Sequence, residues 1–267
     1  MLNELVQIDR GASIVTLTLN DPAKRNALGA AMFDALEARL RETARHGGSP
    51  TSVDAAHVVR LQGTGKAFCA GFDLSAAVDE PALLPSFILR LSGVVRALRR
   101  LPMVVIAEVH GAALAGGCAL ISACDLVIAS PSATFGYPVH ALGISPAVTI
   151  PTLSQMIGHG PARYMLLGGR VIGAAEAENI GLVSRMSSTD DALAADTNAV
   201  CSTIAAHGPA ALRATKHWLN ELDGSLDDAR FDGPAQSSAR GATQPDAIAM
   251  LRDIWQKRSP PRTPDRG

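Results

Sequence analysis

Residues 104–125 read VVIAEVHGAALAGGCALISACD, and this stretch decides the fold. It opens with an apolar β-branched run that follows Pro102, as is typical of a buried strand. The pair Gly116 and Gly117 comes next, and the small residues 118–123 then predict a helix. Glycines at a strand-to-helix turn allow a ligand to approach the backbone, and the first N–H groups of the helix attract negative charge. On its own, the pattern fits an anion-binding turn and tight strand–helix packing equally well.

The composition excludes several classes of protein. The 267 residues are 47% hydrophobic and 18% charged, which is enough for one large domain or a core with a small appendage. The net charge of −1, without any block of like charges, argues against a nucleic acid as the main partner. The four cysteines have neither metal-ligand spacing nor the density of a disulfide scaffold, so no metal site is predicted. Without a signal-peptide pattern or a membrane-length apolar window, we expect a cytoplasmic protein with no membrane partner.

Strands and helices alternate in the first half of the chain. Alternating apolar residues predict a half-buried strand over residues 13–20, and apolar residues four apart predict an amphipathic helix over 28–45. Further strands are predicted at 58–61 and 126–128, and a long helix at 84–98. Beyond them, a strand-free series of helices is predicted at residues 152–157, 161–167, 174–180, 191–206, 209–219 and 246–257. This order indicates an α/β core with a helical appendage.

A second loop of small residues lies at positions 65–74, which read GKAFCAGFDL. Gly71 permits a backbone bend that exposes the N–H of Phe72. Together with the N–H of Gly116, this gives two convergent backbone donors on separate loops. Paired donors of this kind are what the stabilisation of a thioester enolate or a tetrahedral oxyanion requires.

These two loops and three further motifs resemble the enoyl-CoA hydratase/isomerase (crotonase) superfamily. The further motifs are NDPAKRNAL at residues 20–28, CDLVIA at 124–129 and the run at 168–185, and the resemblance covers about residues 5–258. It implies an α/β fold, the crotonase (ClpP-like) spiral of ββα repeats with a C-terminal helical trimerisation region, and hence a homotrimer or a dimer of trimers. The implied divisions are a core with the CoA-thioester site at 1–205 and a helical oligomerisation region at 206–258. Three prolines predict a disordered tail at 259–267.

The resemblance also implies the ligand, a coenzyme A thioester, with no permanently bound cofactor. It assigns the oxyanion hole to the N–H groups of Phe72 and Gly116, and it implies that Lys257 and Arg258 reach the CoA of a neighbouring subunit. The residues that it places along CoA are Lys24, Arg25, Ala67, Cys69, Ala70, Asp73 and Leu74. Without the resemblance, Lys24 and Arg25 fit solvated turn residues equally well.

The chain departs from the family where acid–base chemistry is expected. Hydratases of the family carry glutamates at the positions of Ala119 and Val139, and dehalogenases and some isomerases carry an aspartate at that of Ala147. A general acid or base contributes about 10²- to 10⁴-fold in rate. We therefore expect ordinary crotonyl-CoA hydration to be severely impaired or absent.

Two nearby residues are candidates for the missing acid–base group. His140 adjoins Val139 and could act as a relocated base near neutral pH, or it is a loop histidine bonded to backbone. Tyr137 could protonate an enolate, or it only walls the acyl pocket. Two functions therefore remain open: an acyl-CoA enzyme of isomerase, lyase or hydratase-like type, and a catalytically silent acyl-CoA binder or regulator.

Overall fold

The structure, a computed structural model, describes residues 5–46 and 56–258, apart from the side chains of His46 and Arg258. The tail at residues 259–267, for which the sequence predicts disorder, lies outside the described residues. Within these two ranges, no helix is both long enough and apolar enough to cross a membrane.

Nine strands of the described chain form two sheets. They are β1 (Val6–Arg10), β2 (Ile14–Leu19), β3 (Val58–Gly63), β4 (Val104–Val109), β5 (Ala112–Leu114), β6 (Leu126–Ala129), β7 (Thr134–Gly136), β8 (Val171–Gly173) and β9 (Arg185–Met186). The large sheet has the order β1-β2-β3-β4-β6-β9, and its neighbours run parallel except in the β1–β2 pair. The small sheet has the order β5-β7-β8, with β5 parallel to β7 and β7 antiparallel to β8.

Eleven α-helices accompany the sheets in the same two ranges. They are α1 (Ala30–His46), α2 (Leu74–Asp79), α3 (Leu83–Arg99), α4 (Gly116–Ser122), α5 (Ile150–Ile157), α6 (His159–Gly168), α7 (Ala174–Asn179), α8 (Leu193–Ala205), α9 (Pro209–Leu222), α10 (Ala229–Gly241) and α11 (Pro245–Arg258). The later helices, α8 to α11, follow the last strand and form the helical C-terminal region.

The middle of the chain repeats one unit: a strand of the large sheet, an extended segment at the small sheet, and a helix. After β4 the chain bends at Gly111, forms β5 and enters α4. One turn earlier, Ala67 and Cys69 follow β3 and bridge to Gly111 and Ala113, ahead of α2. This ββα repetition places the loop before α2 next to the loop before α4.

The central strands of the large sheet are buried on both faces. On one face, Phe33 of α1 and Val95 of α3 are fully buried in the main core together with Leu61 of β3. On the other face, Ile106 of β4 packs with Leu193 of α8. A parallel strand covered on both faces favours a continuous apolar run, which explains residues 104–107 of β4. Glu108 interrupts the run and is buried in an ion pair with Arg60 of β3.

The predicted strand-free series of helices is wrong in three places. β8 and β9 lie within it, and strands of three and two residues are too short to show a periodic pattern. α10 escapes prediction because Gly233 and Pro234 in its interior usually break a helix. Its Phe231 and Ala235 are nevertheless buried in the main core, so tertiary packing overrides the local preference.

Candidate active site

The first predicted donor, the N–H of Phe72, lies in a loop that is pinned to Leu28. The Leu28 N–H donates to the Gly71 carbonyl (2.7 Å), and the Asp73 N–H donates to the Leu28 carbonyl (3.2 Å). In a parallel bridge of this kind, the N–H of the intervening residue points away from the partner strand. Within the described chain, no backbone carbonyl accepts a hydrogen bond from the Phe72 N–H. This donor is therefore available to a ligand.

The second predicted donor, the Gly116 N–H, begins α4 and is one of the first-turn N–H groups that have no partner inside a helix. Ala115 before it has φ 50° and ψ −113°, a conformation that is costly for any residue with a Cβ. The Ala115 N–H is held by the Gly136 carbonyl at 2.8 Å. A Cβ placed on Gly71 would lie 3.5 Å from the Gly116 nitrogen, so the two donor loops are in contact.

A cavity of about 40 Å³, called here the inner cavity, lies beside the two donors. Its volume is enough for about three water molecules. Its lining residues are Phe72, Ile88, Leu91, Ala115, Gly116, Ala119, Tyr137, Val139, Ile144, Ser145, Pro146, Val148, Thr149 and Ser238. Ala119 and Val139, the two positions at which the resemblance predicts missing glutamates, thus face this cavity. Among these lining residues, Tyr137 carries the one titratable side chain.

A larger cleft of about 670 Å³, called here the outer cleft, shares four lining residues with the inner cavity: Phe72, Ala115, Val139 and Ile144. It is lined by five of the seven residues that the resemblance assigns to CoA, namely Lys24, Arg25, Ala70, Asp73 and Leu74. Its volume falls within the range of about 300–1,000 Å³ that is usual for ligand pockets. The outer cleft therefore has the size and the cations that a phosphate-bearing ligand needs.

Asp73 organises the charged side of the outer cleft. Its carboxylate accepts from the Lys24 ammonium (2.7 Å), and it caps α2 by accepting from the Ser75 N–H (3.1 Å). Burial raises the pKa of Asp73, but the hydrogen bonds from Lys24 and Ser75 together outweigh burial and leave that pKa below its ordinary value. The hydrogen bond to Asp73 and its charge raise the pKa of Lys24. Both groups are therefore charged at neutral pH.

Ala67 and Cys69, the other two predicted CoA contacts, are buried and line neither the inner cavity nor the outer cleft. The Cys69 N–H donates to the Ala112 carbonyl (3.1 Å), which ties the residue to the small sheet. A Cβ on Gly117 would collide with the Cys69 carbonyl oxygen, so α4 packs directly on this segment. Burial raises the pKa of the Cys69 thiol to about 12. The remaining cysteines are also unpaired and buried: Cys118, Cys124 and Cys201.

Tyr137 and His140 are three residues apart but differ in burial. Tyr137 is 1% exposed and lines the inner cavity, with its hydroxyl oxygen 2.7 Å from Thr149 Oγ1. Burial raises the pKa of Tyr137 well above its ordinary value. His140 is exposed and lines neither the inner cavity nor the outer cleft. A 3₁₀ turn begins at His140, and its Nδ1 lies 3.8 Å from the position that a Cβ on Gly169 would take.

Asn26, to which the sequence analysis assigns no role, fixes the loops behind the outer cleft. It is fully buried, with φ 55°. Its Nδ2 donates to the carbonyls of Thr64 (2.9 Å), Ala67 (2.9 Å) and Phe68 (3.1 Å), and its Oδ1 accepts from the Asp21 N–H (2.8 Å). Asparagine tolerates a positive φ better than most residues and has both kinds of polar group, which is the signal that points to it.

α11 adds a wall to the outer cleft, because Trp255 lines it. A Cβ on Gly143 would lie 2.5 Å from the Ala247 Cα, so the backbone of α11 packs directly against the turn that follows His140. Lys257, which the resemblance places at a neighbouring subunit's CoA, pairs with Asp253 on its own helix at 2.6 Å. The sequence predicts this helix but not the surface on which it packs.

Comparison with known proteins shows which family this chain is similar to. A family model described as enoyl-CoA hydratase/isomerase matches residues 9–230. A probable enoyl-CoA hydratase of Mycobacterium leprae is 32% identical over 229 residues, covering 84% of this chain and 86% of the relative. The solved enoyl-CoA hydratase from Mycobacterium avium gives a TM-score of 0.81 at 30% identity, over 97% of this chain and 99% of its own. The solved enoyl-CoA hydratase from Mycobacterium smegmatis gives a TM-score of 0.76 at 32% identity, over 96% of this chain and 98% of its own. The predicted crotonase-type α/β fold is confirmed.

Proposed function

Because the chain belongs to the enoyl-CoA hydratase/isomerase family, we propose that it is an enzyme that binds and processes an acyl-CoA thioester. The acyl group lies in the inner cavity, CoA lies in the outer cleft, and the thioester oxygen accepts from the N–H groups of Phe72 and Gly116. One observation carries the proposal. The two available donors are on loops in contact with each other, and Phe72 lines both the inner cavity and the outer cleft.

The outer cleft supports CoA as the carrier of the acyl group. Lys24 and Arg25 supply positive charge along it, and the phosphates of CoA are negative. A phosphate close to Lys24 competes with Asp73 for its ammonium group. CoA enters and leaves as part of the substrate, and no resident cofactor is proposed.

The two backbone donors supply the main catalytic effect. They stabilise the negative charge that develops on the thioester oxygen, and one such donor is worth about 3–4 kcal/mol of barrier. The enolate that forms then needs a proton on its α-carbon. We assign this proton to the hydroxyl of Tyr137, which lines the inner cavity and stays protonated because burial raises its pKa.

The residues of the inner cavity favour a lyase-type reaction over hydration or isomerisation. Abstraction of an α-proton or activation of water requires a base, and Ala119 and Val139 supply none. An enolate also forms when a bond to the α-carbon breaks and leaves its electron pair behind. That step needs an oxyanion hole and a proton donor, so we place a lyase-type reaction first.

A second function, a catalytically silent acyl-CoA binder, is favoured by a different observation. The inner cavity is lined by apolar and hydroxyl side chains, and His140, the predicted replacement base, lies outside it. In that case the Phe72 and Gly116 donors would bind the thioester oxygen without any subsequent bond breaking.

The test is incubation of the purified full-length protein in D₂O with saturated, α,β-unsaturated and α-carboxylated acyl-CoAs, followed by mass spectrometry. We expect loss of a substituent, or deuterium at the α-carbon, with at least one thioester. Tyr137→Phe should lower the rate at least tenfold. Tyr164→Phe is the matched control, because Tyr164 lies 63% exposed on α6, and it should leave the rate unchanged.

The outcomes separate the two functions. Tight binding of a thioester with no mass change in any sample would contradict the enzyme and leave the acyl-CoA binder. Absence of binding to every thioester, in a titration that follows tryptophan fluorescence, would contradict both.

A further inference from the structure

Four hydroxyl groups form a continuous buried row behind the inner cavity. Tyr137 Oη lies 2.7 Å from Thr149 Oγ1, which lies 3.1 Å from Ser122 Oγ, and this in turn lies 2.7 Å from Thr152 Oγ1. Each of the four residues is 1% exposed or less. The row joins three separate parts of the chain: the segment after β7, α4, and the start of α5 with the turn before it.

This hydroxyl row can donate its protons in either of two directions. In one direction, Tyr137 donates to Thr149, Thr149 to Ser122, and Ser122 to Thr152, which donates to the Thr149 carbonyl at 3.2 Å. In the other, Thr152 donates to Ser122, Ser122 to Thr149, and Thr149 to Tyr137. The change requires rotation about C–O bonds and no movement of a heavy atom. Each hydroxyl can donate in both arrangements.

We propose that Thr149, backed by Ser122 and Thr152, is a positioning group that stabilises the phenolate of Tyr137 each time Tyr137 gives up its proton. This rests on the proposed function, in which Tyr137 protonates a thioester enolate. The Tyr137 O–H bond breaks and a C–H bond forms at the α-carbon. The enolate double bond supplies the electron pair, and the thioester C=O is restored. The negative charge moves to Tyr137 Oη, and the hydroxyl row reverses so that Thr149 donates to it.

The row stabilises a charge and does not conduct protons to solvent. Its last member, Thr152, is fully buried, so the proton that restores Tyr137 must enter through the inner cavity after the product leaves. The other titratable group that faces Tyr137 is the Cys118 thiol of α4, which burial keeps neutral by raising its pKa to about 12. Cys118 is itself a hydrogen-bond partner of Tyr137, and a thiol is a weak donor. The hydroxyl row therefore supplies the strong O–H donor to the phenolate, through Thr149.

The experiment is a spectrophotometric titration of 2,3,5-trifluorotyrosine placed at position 137 of the full chain, because this phenol ionises at lower pH than tyrosine. Thr149→Val removes the hydroxyl and keeps the shape, so it should raise the pKa of the fluorinated phenol by about one unit, a tenfold loss of phenolate at a given pH. Thr149→Ser keeps the hydroxyl and should restore most of the phenolate. Ser122→Ala, which removes the second link, should raise the pKa by less.

An unchanged phenol pKa in Thr149→Val, or an equal rise in Thr149→Ser, would overturn the proposal. If Thr149→Val fails to fold, as judged by circular dichroism, the phenol pKa of Ser122→Ala tests the proposal instead, and an unchanged pKa there would overturn it. The titration needs no substrate, so its failure is distinguishable from that of the proposed function. A shifted phenol pKa without any thioester chemistry would support the role of the hydroxyl row and contradict the enzyme. Thioester chemistry with an unshifted phenol pKa would support the enzyme and contradict the role of the hydroxyl row.

Discussion

At the scale of single residues, the candidate site depends on backbone conformations that most side chains disfavour. Arg25, Asn26 and Ala115 all have positive φ values without being glycine. Asn26 is stabilised by buried hydrogen bonds to three carbonyls. Ala115 has no such side-chain bonds, and its conformation is fixed by the contact of its loop with Gly71 and by its N–H bond to Gly136.

Ala115→Gly should stabilise the protein. The Cβ at φ 50° costs about 1–3 kcal/mol, and glycine loses about 0.5–1 kcal/mol through its greater freedom in the unfolded chain. We expect the free energy of unfolding, measured with urea, to rise by about 1 kcal/mol. Ala113→Gly in β5, where φ is not positive, is the control and should lower it. A less stable Ala115→Gly variant would contradict the assigned strain.

Asp73→Asn should reduce stability in a pH-dependent manner. Asparagine still caps α2 but loses the ion pair with Lys24, which is partly exposed and worth about 0.5–1 kcal/mol. Because the folded pKa of Asp73 is lowered, its contribution is present above the unfolded pKa of about 3.9 and is lost as pH falls through the folded value. Urea unfolding from pH 7 to pH 3 should therefore show the two proteins converging only below about pH 4. A constant difference across this range would exclude the ion pair as its cause.

At the scale of secondary-structure elements, α11 completes the outer cleft because Gly143 allows it to approach. The Gly143 backbone has φ +69°, and its missing side chain leaves room for the Cα of Ala247. Trp255, eight residues further along, then forms part of the cleft wall. A substitution at Gly143 should therefore alter the outer cleft by displacing α11.

Gly143→Ala should displace α11 and weaken CoA binding. The added Cβ meets backbone, which cannot rotate away, and alanine is strained at this φ. We expect at least a tenfold rise in the Kd for CoA, measured by calorimetry, and a shifted Trp255 fluorescence maximum. Gly93→Ala in α3 is the matched control, because a Cβ there meets nothing within 4 Å. It should stabilise the helix by about 0.5–1 kcal/mol and leave the Kd unchanged. Equal Kd values for both variants would contradict the role of α11.

The elements also show why the sequence predicts one half of the site better than the other. Gly71 and the Gly116–Gly117 pair indicate the two donor loops from local sequence, and the resemblance is needed to choose between a binding turn and tight packing. The row from Tyr137 to Ser122 and Thr149 joins residues from separate elements, and no spacing in the sequence indicates it. His140 shows the opposite limit. It is adjacent to Val139 in sequence, yet it is exposed and does not line the inner cavity.

At the scale of the whole molecule, one apolar stretch of a helix is left uncovered on the single chain. Trp218, Leu219 and Leu222 of α9 are 60%, 61% and 82% exposed, and their spacing makes them neighbours on the helix surface. Exposed large apolar side chains that adjoin one another are typical of a surface that binds another protein. We propose that this surface packs against further copies in a homotrimer or a dimer of trimers.

The double substitution Leu219→Asp and Leu222→Asp should dissociate this assembly. A buried carboxylate without a partner strongly disfavours association, whereas an exposed one does not. Sedimentation should give three or six times the 27.7 kDa of one chain for the unmodified protein and a smaller mass for the double variant. Leu89→Asp, 46% exposed on α3, is the control and should leave the mass unchanged. A monomeric unmodified protein would rule the assembly out.

The four buried cysteines give the protein a set of internal reporters. Thiolates react with alkylating reagents far faster than thiols, and burial raises the pKa of Cys69, Cys118 and Cys124 to about 12. Labelling of the native chain must therefore wait for local opening, and its rate at each cysteine measures how often that region opens. Cys69 would report on the loop before α2, Cys118 on the start of α4, and Cys201 on α8. Peptide mapping after a short exposure to iodoacetamide, with and without an acyl-CoA, would then show which regions the ligand holds closed.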